Sequence, residues 1–440
     1  MNEKKSGKSD GIYFVSFAEM LKCFSDALDL LNLSLRNHHR NTAFIAQRIA
    51  LEMGLNKGDV FNITAAAAVH DIGACVLDDR SLSFDYDPVE LDRHSIAGYQ
   101  FLYEMQLFEK IADIIRFHHC RWNYGEGTRK NGRDVPLGSH IVHLADRIDI
   151  LIEKGTYILE QADDIKYIIN ENSCRMFHPD VVSVFNSIAA KKSFWMDVDS
   201  ESQWDKIFYN LGPAASRSWG LYAYEITDYV KLLVRLIDFK SRFTAAHSTG
   251  VAAVAEAMSI AAGFQNDKIE KIRFAGYLHD IGKLSIPAEI LEKPDKLTEG
   301  EFRLMISHPY HTLSVLNNLD CFSQVKIWAS QHHEKICGLG YPFSHSGDEI
   351  SEESRIISLA DVFTALSENR PYRRGLDTDS AIKIIYEMSS KGLLDGELVL
   401  LLSDNLDSID DIRRENQEEA IREYSKWSDS LNMLINYQQL

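Results

Sequence analysis

Five histidines and two aspartates recur twice along this chain in one register. The first set is His38, His70, Asp71, His94, His118, His119 and Asp146; the second is His247, His279, Asp280, His308, His332, His333 and Asp361. In each set the first two histidines stand 32 residues apart, and the third precedes the His-His pair by 24. Histidine is only 16 of 440 residues, so agreement at every one of these intervals marks an internal repeat. Imidazole and carboxylate without thiolate suit a borderline divalent ion such as Fe, Mn, Co, Ni or Zn. Seven ligands are too many for one ion, whereas two divalent ions per site use them all, with Asp280 as the natural bridge beside His279. Two ions about 3.5 to 4 Å apart polarise a phosphoryl oxygen and make hydroxide from water near neutral pH, the chemistry of phosphoester hydrolysis. Two ions, two aspartates and one hydroxide leave a net charge of about +1, matched to a phosphodiester.

Several cations are placed to hold the phosphate. Lys283 follows His279 by four residues and Asp280 by three, so a continuing helix would aim it at the same cluster. "ENRPYRRG" offers Arg370, Arg373 and Arg374 just beyond Asp361, where a guanidinium fork can grip a second pair of phosphate oxygens. In "HHEKICGLGYP" glycine and proline build a turn beside the His pair. His39 could replace its neighbour His38 as ligand, but the equal interval favours His38. His140, His143, His178, His345 and His311 read as core or surface histidines.

The elements that must carry these residues read as helices. "NTAFIAQRIALEMGL" and "VAAVAEAMSIAAGF" space apolar residues at three and four, and each stops near Gly54 or Gly263. Farther on, "DIKYIINENSCRMFHPDVVSVF" and "AIKIIYEMSSKGLLDGELVLLL" match in apolar pattern without gaps, and alternating strand patterns are nearly absent. The fold class is therefore all-α, two tandem helical domains. The expected boundaries are a flexible tail over 1–16, a first domain over 17–200, a connection over 201–226 and a second domain over 227–440 that ends in a charged helical segment. The apolar side of that segment can pack on the body or on a second subunit as a homodimer, and the two domains are expected to touch within the chain.

Composition narrows the function classes. No apolar run reaches eighteen residues, which argues against a membrane span, and the polar start has no secretory core. Six cysteines without a C-x-x-C spacing argue against a disulfide framework and thiolate zinc, so a cytoplasmic location is expected. A net charge of −18 without a basic cluster argues against duplex nucleic acid, while a small anion in a locally positive pocket fits.

From Asp238 to about Leu402 the sequence resembles the HD-GYP phosphodiesterases, a branch of the HD metal-dependent phosphohydrolase superfamily. The likeness is carried by "DFKSRFTAAHS", "LHDIGK", "LEKPDKLTEGEF" with "SHP", "HHEKICGLGYP" and "ADVFTALSENRPYRR" in family order. It implies an all-helical domain that hydrolyses bacterial 3′,3′-cyclic dinucleotides, cyclic di-GMP or cyclic GMP-AMP, to the linear 5′-phosphorylated product. It also implies that His247, His279, Asp280, His308, His332, His333 and Asp361 hold the metals, that Asp280 and Lys283 are catalytic, and that Lys283, Arg370 and Arg373 bind substrate phosphates. Members with three metals carry a glutamate where this chain has Phe243, which implies two metals here, and Cys337 stands where the family usually has aspartate. The first repeat resembles the family only in its metal frame: Ala74 stands for Lys283, Cys120 for Glu334, and Gly155 and Ile158 for Arg370 and Arg373. It reads as a degenerate partner with a second metal cluster, and the second repeat as the catalytic one. Two alternatives stand beside this reading: an HD-type nucleotide phosphohydrolase, and a non-hydrolytic cyclic-dinucleotide receptor or metal-based redox sensor.

Overall fold

The computed structural model describes residues 12–31, 37–76, 88–103, 108–213, 218–240, 246–369 and 374–438. It is all-α, with two short two-stranded sheets, and among the described residues no helix is long and apolar enough to cross a membrane. The chain divides into two compact units, one gathering 16–217 with the end of the chain from 429, the other 218–428 with the strand residues 12–15.

The duplication is visible element by element. Helices His38–Glu52, Lys57–Ala68, Leu137–Ile150, Ile158–Glu171 and Pro179–Ala189 of the first unit answer to His247–Ala261, Asn266–Leu278, Glu352–Ser367, Thr378–Ser390 and Gly396–Asp404 of the second. Helix His38–Glu52 packs against Lys57–Ala68 and Leu137–Ile150, and His247–Ala261 against Asn266–Leu278 and Glu352–Ser367. Their contacts are rich in buried alanine, Ala65 to Ala68 in one and Ala252, Ala253 and Ala255 in the other. Small side chains let helix axes approach closely, which brings the histidines at neighbouring helix ends within reach of a common point.

Both His-Asp-Ile-Gly segments leave the α-helix. His70–Val76 and Ile281–Ser285 are 3₁₀ turns, so the continuing helix expected to carry Lys283 is absent. The glycine in each has a steric reason: a Cβ on Gly282 would overlap the carbonyl of His308, and one on Gly73 that of His94. The turn therefore lies flush on the backbone that carries the next histidine. In the second unit it is pinned further by Thr312, whose hydroxyl donates to the His279 carbonyl at 2.9 Å and accepts from the Gly282 N–H at 3.1 Å.

Three boundary expectations change. Residues Ile12–Ser16, expected in a flexible tail, form a strand paired with Ser218–Tyr222, and Tyr13 donates to Glu270 at 2.7 Å. The connection expected over 201–226 holds helix Gln203–Leu211, which follows helix Lys192–Val198 in the first unit, because Phe194, Trp195, Val198, Trp204 and Ile207 form a buried apolar stripe. The charged C-terminal segment is one helix, Leu406–Gln438, whose last turns group with the first unit instead of the second.

Asp238, on helix Ala223–Lys240, is 7% exposed and one of its carboxylate oxygens has no hydrogen-bond partner among the described residues. Burial pushes its pKa up to about 8 against the pull of Arg235 and His247. The folded chain thus keeps a proton that the unfolded chain releases near pH 4, and stability falls by at most about 1.4 kcal/mol per pH unit as pH rises towards 8. The melting temperature of Asp238→Asn relative to wild type is expected to rise between pH 5 and pH 8. An equal difference at both pH values would show that Asp238 is ionised in the fold.

Candidate active site

In the second unit seven side chains from five helices and turns converge. His247 opens helix His247–Ala261, His279 caps Asn266–Leu278, His308 opens His308–Leu316, His332 and His333 follow Val325–Ser330, and Asp361 lies within Glu352–Ser367. Asp280 lies at the centre, 1% exposed, and its two oxygens face different partners. Oδ2 is 3.1 Å from His279 Nε2 and 4.0 Å from His247 Nε2; Oδ1 is 3.3 Å from His308 Nε2 and 3.8 Å from His332 Nε2. Asp361 reaches His247 Nε2 at 3.2 Å through Oδ1 and His333 Nδ1 at 3.9 Å through Oδ2. Lys283 joins them without the helix, its Nζ donating to Asp280 Oδ2 at 2.6 Å. Arg370 and Arg373, like Phe243, lie outside the described residues, and Arg374 is exposed.

The ring orientations are fixed from behind. The Nδ1–H groups of His279, His308 and His332 donate to the carbonyls of Gly276, Met305 and Ala329 at 2.7, 2.7 and 2.6 Å. Each Nε2 therefore presents a lone pair inward, and those of His308 and His332 face one another at 3.2 Å. His279 Nε2 and Asp280 Oδ1 are buried with no hydrogen-bond partner among the described residues. Lone pairs and carboxylate oxygens aimed at one buried point are mutually repulsive unless a cation lies among them, so the donor set fits divalent metal. The electrostatics agree. Burial opposes charge on His247, yet Glu368 and Asp361 outweigh it and push its pKa up to about 10. Burial also opposes charge on Asp280, but His279 and Lys283 hold its carboxyl well below the usual range. Burial brings His333 down to about 3, leaving its ring neutral and free to donate a lone pair.

Two residues here take roles that the sequence left unassigned. Glu368 accepts from His247 Nδ1 at 3.1 Å through either oxygen, and so orients the first ligand. It lies seven residues beyond Asp361, an interval that the first copy does not repeat, so the spacing comparison could not flag it. Glu334, 2% exposed, accepts the N–H groups of Phe343 at 2.7 Å and His345 at 3.0 Å and so pins the Gly-Tyr-Pro loop, whose Tyr341 ring lies 4.8 Å from the His333 ring. The lone histidines take supporting positions: His345 accepts from Gln331 at 2.9 Å and His178 caps helix Pro179–Ala189, while His140 and His143 are buried in the first unit.

The first unit builds the same frame. Asp71 Oδ1 faces His94 at 3.3 Å and His118 at 3.9 Å, and Oδ2 faces His70 at 3.3 Å and His38 at 3.6 Å. Asp146 Oδ1 is 3.4 Å from His38 and 3.7 Å from His70, and Asp146 Oδ2 is 3.9 Å from His119. His38 Nδ1 donates to Asp149 at 2.7 Å, so a carboxylate stands behind the first ligand in this unit too. Both oxygens of Asp71 are buried without hydrogen bonds among the described residues.

Comparison with known proteins accords with this doubling. HD-domain family profiles match twice, over residues 35–151 and 231–398. The chain is 28% identical over 391 residues, 87% of its length and 90% of the relative's, to the 3′3′-cGAMP-specific phosphodiesterase 1 of Vibrio cholerae. It is 38% identical over 158 residues, 35% of this chain and 41% of the relative, to a cyclic di-GMP phosphodiesterase response regulator of Xanthomonas campestris. Its fold matches the crystal structure of a cyclic GMP-AMP-specific phosphodiesterase of V. cholerae with a TM-score of 0.66 at 24% identity, over 90% of this chain and 98% of the other. The chain carries two HD domains in tandem.

Replacing Glu368 by glutamine removes the carboxylate behind His247 while keeping its size. The second domain's metal affinity is expected to fall about 10- to 100-fold, read by calorimetric titration of Mn²⁺. Unchanged affinity would mean that His247 is not a ligand.

Proposed function

We propose that this chain is a metal-dependent phosphodiesterase that opens a 3′,3′-cyclic dinucleotide in its second domain and yields the linear 5′-phosphorylated dinucleotide. One observation carries this reading: the Lys283 ammonium lies against the central carboxylate of a cluster suited to metal, while the first domain has Ala74 in that place. The similarity to both cyclic GMP-AMP and cyclic di-GMP phosphodiesterases supports the substrate class.

Two divalent ions held by His247, His279, Asp280, His308, His332, His333 and Asp361 would supply Lewis-acid polarisation of the phosphoryl oxygen and a more acidic water. The chain's own groups do the rest. Asp280 keeps the Lys283 ammonium at the edge of the cluster, where its remaining donors can take the scissile phosphate. Lys283 also compensates the negative charge that grows on the phosphoryl oxygens in the transition state. Glu334 fixes the loop so that the Tyr341 ring walls the site beside His333, an aromatic surface on which a base can stack. Arg370 and Arg373 are assigned to the second phosphate by the sequence resemblance.

Purified protein supplied with Mn²⁺ or Fe²⁺ and given cyclic GMP-AMP and cyclic di-GMP side by side should release linear dinucleotide, seen by chromatography and mass. Asp280→Ala should abolish release. Lys283→Ala should lower kcat about 10²- to 10³-fold while its metal content stays that of wild type. No turnover of either substrate by metal-loaded wild type, or full activity in Lys283→Ala, would overturn this assignment.

A further inference from the structure

The two metal frames differ at a position beside the first ligand: His39 follows His38 where Ser248 follows His247. His39 is 3% exposed and turned inward. Its Nδ1–H donates to Asp29 Oδ1 at 2.6 Å, so its Nε2 carries the lone pair, and that atom lies 3.8 Å from Asp71 Oδ2 with no hydrogen-bond partner among the described residues. Asp29 is itself held, accepting the Asn37 N–H at 2.7 Å through its other oxygen. The donor atoms of His39, His70 and Asp71 lie within 4.8 Å of one another.

We propose that His39, oriented by Asp29, is an additional metal ligand that closes the first domain's centre, so that this domain holds a borderline divalent ion as a permanent, non-catalytic component. The inference rests on the family's metal frame but not on the hydrolysis assigned to the second domain. Asp71 Oδ2 faces three imidazoles, His38, His39 and His70, with Asp146 behind His38, while Asp280 Oδ2 faces two, His247 and His279, with Asp361 behind His247, and takes the Lys283 ammonium besides. The first centre therefore has one coordination position fewer for water or a phosphate oxygen. Catalytic centres keep such a position open and structural ones fill it with protein. Arg147 acts in the same direction. Its guanidinium, 2% exposed, donates to Asp146 Oδ2 from Nε at 2.9 Å and from Nη2 at 2.7 Å, and it stands where the second domain has Val362. That oxygen is thereby committed to a fixed charge.

The test uses the full chain carrying Asp280→Ala, which removes the second centre's central carboxylate and gives a common background against which first-domain substitutions are compared. Co²⁺ titration, followed by its visible d–d absorption and by metal analysis after dialysis against a chelator, should show ion retained in the first domain. Adding His39→Ser should weaken Co²⁺ binding at least tenfold and change the d–d band, and Asp29→Asn, which keeps every ligand, should shift both in the same direction by less. If His39→Ser does not fold, Asp29→Asn carries the same reading. An Asp280→Ala protein that retains no Co²⁺, or one whose binding and spectrum ignore both substitutions, would overturn the proposal. A wild-type chain that hydrolyses neither dinucleotide yet keeps a His39-dependent cobalt spectrum would overturn only the catalytic assignment.

Discussion

The constraint on which the molecule rests is the crowding of donor lone pairs at a buried point. In each domain a central aspartate is surrounded by imidazole Nε2 atoms whose far nitrogens are already occupied by carbonyls or carboxylates. Hydrogen bonds relieve that arrangement only in part: in the second domain Lys283 donates to Asp280 at 2.6 Å and His247 to Asp361 at 3.2 Å, while the Nε2 lone pairs of His308 and His332 still face one another at 3.2 Å. A divalent cation among them would remove the repulsion that remains, so the geometry of the surrounding helices is linked to cation binding.

That linkage explains why both copies keep the frame although they differ around it. Loss of one ligand from a metal-filled cluster would leave the other buried carboxylates and lone pairs without compensation, a cost of several kcal/mol in a marginally stable domain. Loss of a group that touches only substrate costs the fold little. The differences follow that division. Lysine gives way to alanine at position 74 and glutamate to cysteine at position 120, whereas His38, His70, Asp71, His94, His118, His119 and Asp146 all remain. In the first domain, moreover, the changes beside the frame add a further imidazole lone pair and a fixed positive charge, with His39 and Arg147 in place of Ser248 and Val362.

The sequence disclosed the converging histidines and aspartates because equal spacing in two copies is a geometric signal: corresponding helices carry the same residue types to the same place. It disclosed the helical fold for the same reason, through alanine-rich periodicity that closely packed helices require. Residues that act from behind the ligands gave no such signal. Glu368 stands seven positions past Asp361, while its counterpart Asp149 stands three past Asp146, so the two copies reach one role by different routes. The strand Ile12–Ser16 was hidden because its partner, Ser218–Tyr222, lies some two hundred residues away and short strands carry little pattern of their own. Lys283 reached its expected place by a 3₁₀ turn instead of a helix, because Gly282 presses the chain against the His308 carbonyl before another helical turn can form.

On the proposed assignment, a duplicated domain that gives up its substrate grips is released from one requirement and gains another. It no longer needs an open coordination position, and an open position in a buried metal site exposes the ion to exchange and to unwanted ligands. Filling it with a protein imidazole removes that exposure. A histidine adjacent to the first ligand can do so because successive residues in a helix's first turn project about 100° apart, and both His38 and His39 lie in that turn. In the second domain the residue beside the first ligand is Ser248, and Asp280 Oδ2 takes the Lys283 ammonium at 2.6 Å. On the proposed assignment the open centre carries Ser248 with Lys283, and the closed one His39 with Ala74.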